Sequence, residues 1–97
     1  MNPAKVDRAR LARFTDLPNI GPAMAKDFVT LGYFAPSQLL GADPLALYQA
    51  LCLASGSRQD PCVLDVMMSV TDFLGGAPAK PWWHYTETRK QRYGQLP

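Results

Sequence analysis

Apolar residues along this 97-residue chain recur at spacings of three and four, in short runs closed off by proline and glycine. That periodicity predicts helices. Over residues 22–31, Met24, Phe28 and Leu31 share one side with Ala25 and Val29 alongside, while Lys26, Asp27 and Thr30 turn elsewhere. From Pro44 onward, Leu47, Leu51 and Ala54 repeat the stripe, joined by Leu45, Tyr48 and Cys52. Residues 62–74 are apolar nearly all round, interrupted only by Asp65, Ser69, Thr71 and Asp72, which predicts the central helix of a bundle. Strict alternation of apolar and polar positions does not occur, so no sheet is predicted.

Proline and glycine set the boundaries. Pro3, Pro22, Pro36, Pro44 and Pro61 each stand where a helix can begin, with Asn2, Asp43 and Asp60 as N-cap acceptors. Gly32, Gly41, Gly56 and Gly75-Gly76 fall where helices should stop. The expectation is an all-α, compact bundle of about five short helices, at 3–15, 22–31, 36–40, 44–55 and 61–74. After Gly76 an extended arm carries Trp82, Trp83 and Tyr85, and from Thr86 the chain turns polar and basic. Residues 1–85 therefore read as a single domain, and 86–97 as a basic C-terminal tail that frays.

With 47% hydrophobic residues the chain can build one small core. The net charge of +2 hides a distribution of +3 over residues 1–26, −4 over 27–79 and +3 over 80–97. Positive charge gathered at the two ends is a modest signal for a polyanionic partner, and ordinary solvated helix faces account for it about as well. No run approaches the roughly 18 apolar residues of a membrane span, and scattered charge near the start does not suit a secretory signal. A soluble, cytoplasmic protein without membrane contact is expected, with Cys52 and Cys62 as reduced thiols.

The richest chemistry lies in Leu17-Pro18-Asn19-Ile20-Gly21-Pro22-Ala23-Met24. Asn19 and Gly21 tolerate unusual backbone angles and bracket Ile20, which can plug into a core. Pro22 then opens a helix whose first amides, at the positive end of the dipole, form an anion site without any charged side chain. Upstream, Lys5, Arg8, Arg10 and Arg13 spread over a little more than half of the predicted first helix, leaving Leu11 and Phe14 as its anchors.

Leu17, Pro18, Ile20, Gly21, Pro22 and Ala25 together resemble the helix-hairpin-helix element of DNA repair and recombination proteins. Such hairpins usually carry glycine where this chain has Asn19. The resemblance implies that the backbone amides of Gly21 and Met24, with Asn19, donate to a phosphate and that Lys26 supplies a nearby cation. Arg10 and Arg13 on the preceding helix read either as neighbours of a further phosphate or as an ordinary solvated surface. It also implies a monovalent cation, held in some such hairpins by carbonyls that correspond here to Thr15, Leu17 and Ile20; no other cofactor is expected. Contacts of this kind position nucleic acid without reading bases. The same residues also read as a corner between packed helices that serves protein–protein interaction or self-association.

A wider set of residues resembles a small bacterial family labelled pathogenicity-locus or mitomycin-resistance proteins. It comprises Asn19-Ile20-Gly21-Pro22, Leu40-Gly41-Ala42-Asp43-Pro44, Leu47-Tyr48, Leu51-Cys52, Gly56, residues 60–64 and Trp82-Trp83. That resemblance implies a SAM-like helix-hairpin-helix domain of the kind also found at the C-terminus of TfoX-type competence regulators. A mitomycin link suits DNA binding, because the drug cross-links DNA.

The remaining constellations are weaker. Cys52, Cys62 and His84 lack a fourth ligand for a metal site. Trp82, Trp83 and Tyr85 beside Arg89, Lys90 and Arg92 read either as a cap over the core or as a stacking platform. His84 is the only histidine, and neither a nucleophile elbow nor a P-loop is present, so no enzyme is expected.

Overall fold

The computed structural model describes residues 5–94, and all regular structure among them is helical. The α-helices are α1 (Pro22–Thr30), α2 (Pro44–Ser55), α3 (Pro61–Leu74) and α4 (Thr86–Tyr93), with 3₁₀ turns at Phe14–Asp16, Pro36–Leu39 and Trp82–Tyr85. Proline occupies the first position of α1, α2 and α3. Asp43 and Asp60 cap α2 and α3 by accepting the Leu45 and Cys62 N–H at 3.3 and 2.9 Å. These local signals place α2 and α3 at the expected boundaries, whereas 36–40 tightens into a 3₁₀ turn.

Residues 6–13 do not form the helix expected over 3–15, whose start at Asn2-Pro3 lies outside the described residues. Their aspartates compete for the backbone. The Asp7 carboxylate accepts the Ala9 N–H at 3.0 Å, and Asp16 accepts those of Ala12 and Arg13 at 2.9 and 2.8 Å. Arg8 is drawn away as well: its guanidinium lies 4.0 Å over the Phe73 ring and donates to the carbonyls of Phe73 and Ala77 at the end of α3. That suits a cation at a helix C-terminus.

Beyond the arm, residues 86–93 form α4 where a fraying tail was expected. This helix has no buried apolar residue of its own. It is held instead by Asp65 of α3, fully buried, which accepts Arg89 Nε at 2.6 Å and Thr86 Oγ1 at 2.7 Å. The arm itself divides: Tyr85 is buried, Trp82 half-buried, and Trp83 exposed with its ring edge-on to Trp82 at 5.7 Å.

The core gathers around α3, which packs against α2, α4 and the Pro36 and Trp82 turns. Leu17, Ile20, Phe28, Leu39, Leu64, Met67 and Val70 are fully buried in it. Phe14 meets Phe28 at 5.1 Å between ring centroids, fixing the Phe14–Asp16 turn to α1. At its far end α1 closes with the Gly32 N–H on the Val29 carbonyl and the Tyr33 N–H on the Phe28 carbonyl, and Gly32 at φ 94° reverses the chain.

Candidate nucleic-acid interface

The turn from Leu17 to Gly21 is built from the inside. Leu17, Pro18 and Ile20 are fully buried, so both ends of the turn are pinned to the core. Asn19 takes the left-handed conformation at φ 65°, as the sequence requires of the residue before a plugged-in Ile20. Gly21 does not share it. Its backbone is ordinarily extended, φ −94° and ψ −178°, and it serves as the N-cap, its carbonyl accepting the Ala25 N–H at 3.0 Å. No side chain among the described residues caps α1. The amides of Ala23 and Met24 precede that first helical bond, at the positive end of the dipole.

The Asn19 side chain is bonded to other parts of the fold. Its Nδ2 donates to Ser69 Oγ at 3.0 Å and to the Lys80 carbonyl at 2.7 Å, tying the turn to α3 and to the arm at once. Where a glycine would leave the turn to its neighbours, asparagine fastens it from behind. This bond also brings the backbone of Lys80 beside the turn, a residue that sequence spacing does not connect with it, being 61 residues away.

The predicted cations fare differently. Lys26 is exposed on α1. Arg13, 79% exposed, stands 3.7 Å from Asp16. Arg10, 85% exposed, stands 3.6 Å from Asp7. Such exposed pairs contribute little to stability, but each carboxylate offsets the charge of its arginine. The hydrogen bond from the Arg13 N–H holds the Asp16 carboxyl below its usual range against the opposing effect of burial, with lesser help from the Ala12 N–H and the Arg13 charge. Arg13, Lys26 and Pro22 line one open cavity of about 470 Å³, together with Val29 and Phe34; Arg10 lies outside it.

Elsewhere, Cys52 and Cys62 are both free thiols, and Cys52 Sγ accepts the Gln59 N–H at 3.3 Å. Burial, then Asp60, pushes the Cys62 thiol up. Among the described residues no three His, Cys, Asp or Glu side chains cluster as a metal site would require, and no helix is long and apolar enough to cross a membrane.

No solved structure matches the chain. Mitomycin resistance protein McrB of Streptomyces lavendulae is 46% identical over 77 residues, which span 79% of this chain and 73% of that protein. The family model described as pathogenicity locus (Cdd1) matches residues 7–91. Its match begins at Asp7 and runs through Arg89, so it takes in both the irregular N-terminal segment and the ion-paired α4. Neither comparison bears on competence regulators. With 46% identity to one relative and a family match across nearly all the described residues, the chain belongs to the pathogenicity locus family.

Proposed function

We propose that this domain is a non-catalytic module that binds nucleic acid, DNA above all, by its backbone and without regard to sequence. The observation that carries the reading is the uncapped start of α1 with Arg13 and Lys26 on one cavity beside it. The turn and α1 act as the second half of a helix-hairpin-helix whose first helix is cut down to the Phe14–Asp16 turn. Phosphate oxygens accept from the amides of Gly21 and Met24, and Lys26, Arg13 and Lys80 supply the surrounding charge. A mitomycin-resistance label on a relative suits a role at the molecule that this drug cross-links.

With about three phosphates neutralised, log K falls against log salt with a slope of roughly −2 to −3. The test is fluorescence anisotropy of labelled duplex DNA against salt, for the native chain and for Gly21→Glu. Because Gly21 has ordinary extended angles, glutamate there brings no backbone strain and sets an anion against the amides; circular dichroism serves as the folding control. Weak, salt-sensitive binding that Gly21→Glu removes is expected; no binding at low salt, or binding indifferent to this substitution, refutes the proposal.

A second reading, protein–protein interaction, is favoured by one observation. Val29 and Phe34 remain 48% and 74% exposed beside Lys26. Competition between a pulled-down protein and DNA for the same face separates the two readings.

A further inference from the structure

The exposed ring of Phe34 is no part of the core, yet the backbone that carries it is held in place. Gly32 turns the chain back over the outer side of α1, and Gln38 Oε1 accepts the N–H groups of both Phe34 and Ala35, fixing the loop ahead of the Pro36 turn. From this fixed backbone Phe34 lines the cavity that Arg13, Lys26, Pro22 and Val29 also line. At about 470 Å³ this cavity falls within the usual size of small-ligand sites. Its occupant must offer a flat face to Phe34 and Val29, and negative charge to Arg13 and Lys26.

We infer that the cavity takes one unpaired nucleotide, its base stacked on Phe34 and its flanking phosphates against Lys26 and Arg13, so that the domain prefers single-stranded or frayed nucleic acid to intact duplex. An unpaired nucleotide carries a ring face and an anion on one residue, whereas a duplex buries its ring faces within the stack. Pro22, at the start of α1, lines the same cavity as Phe34. Stacking of this kind tolerates any base, in keeping with sequence-blind binding. The inference rests on the proposed nucleic-acid function and adds the strandedness of its ligand.

The test is anisotropy of a labelled 12-nucleotide single strand and of its duplex, at low salt, with the full chain in native, Phe34→Leu and Phe34→Tyr forms. Circular dichroism serves as the folding control. Phe34→Leu keeps an apolar side chain and removes the ring, so it should weaken single-strand binding about ten-fold and leave the duplex unchanged. Phe34→Tyr should bind as the native chain does. Equal native affinity for both forms, or a Phe34→Leu effect that is absent or the same on both, overturns the inference while leaving duplex binding by the hairpin intact. No binding of either form overturns the hairpin reading and this inference with it.

Discussion

Replacing Arg89 by methionine removes the cation that holds α4 while keeping most of the side chain's bulk. In the native fold Arg89 is 12% exposed and Asp65 1% exposed, with Nε and Oδ1 2.6 Å apart. The substitution leaves the carboxylate buried with Thr86 Oγ1, at 2.7 Å, as its remaining donor. Stranding a buried charge in this way costs about 3–5 kcal/mol. In a domain whose whole stability is of order 5–15 kcal/mol, and where 1 kcal/mol moves the midpoint by roughly 5 °C, Tm should fall by roughly 15–25 °C. Asp65→Ala should cost less, about 1.5–3 kcal/mol, because Arg89 sits near the chain end and can swing into water. The double variant should resemble Asp65→Ala alone, since neither partner is then stranded. Thermal unfolding followed by circular dichroism reads all three. A drop below 5 °C for Arg89→Met, or additive effects in the double variant, would mean that the ion pair does not anchor α4.

Three further outcomes follow from single contacts. Asn19→Gly loses the bonds to Ser69 and Lys80 but relieves the left-handed backbone, so urea unfolding should give a net loss of about 1–2 kcal/mol, with Asn19→Ala losing more. The Tyr85 hydroxyl is buried without a hydrogen-bond partner among the described residues, and burial, then Asp72, pushes its pKa up to about 12. A raised folded value means stability fully present below pH 10 and lost as pH climbs from 10 through 12; Tyr85→Phe should be nearly neutral at pH 7 and should remove that alkaline loss, read by denaturant midpoints across pH. Asp16→Asn removes the carboxylate beside Arg13 and should raise duplex affinity a few-fold in anisotropy, while loosening the Phe14–Asp16 turn.

What the sequence made legible was whatever is local. A proline after aspartate, a stripe repeating every three or four residues and a glycine at the stop are all read within one helix, and they locate α2 and α3. The first helix fails for a reason within a few residues: Asp7 and Asp16 take up the backbone N–H groups that a helix needs. The other failures are non-local. The α4 segment lacks an apolar stripe because its anchor is an ion pair to a residue 24 positions earlier. A usable signal did exist: Asp65 and Ser69 lie in a helix that is apolar nearly all round, and a buried polar group must find partners. One binds α4 and the other Asn19, so two of the four apparent interruptions of α3 are its attachment points for the C-terminal helix and for the candidate site. The Asn19 turn was legible in its backbone but not in its side chain, whose partners lie 50 and 61 residues away.

Charge sets the scale of any nucleic-acid binding by this fold. Arg8 closes the end of α3 and Arg89 holds α4, so two of the ten basic residues are spent on structure. Arg10 and Arg13 each stand beside an aspartate. On the proposed function, Lys26, Arg13 and Lys80 remain around the turn, and three contacts give a slope near −3, so raising salt from about 50 to 200 mM should cost roughly 40-fold in affinity. Backbone-only binding starts from dissociation constants of about 10⁻⁴–10⁻⁶ M, so one copy would hold DNA only transiently. Linking two copies raises avidity by about 10²–10⁴ without any new contact, provided that both can reach the strand together. A tandem fusion joined by a flexible linker should therefore bind at a salt concentration where the single domain does not, and Gly21→Glu in one half alone should return it to single-domain affinity.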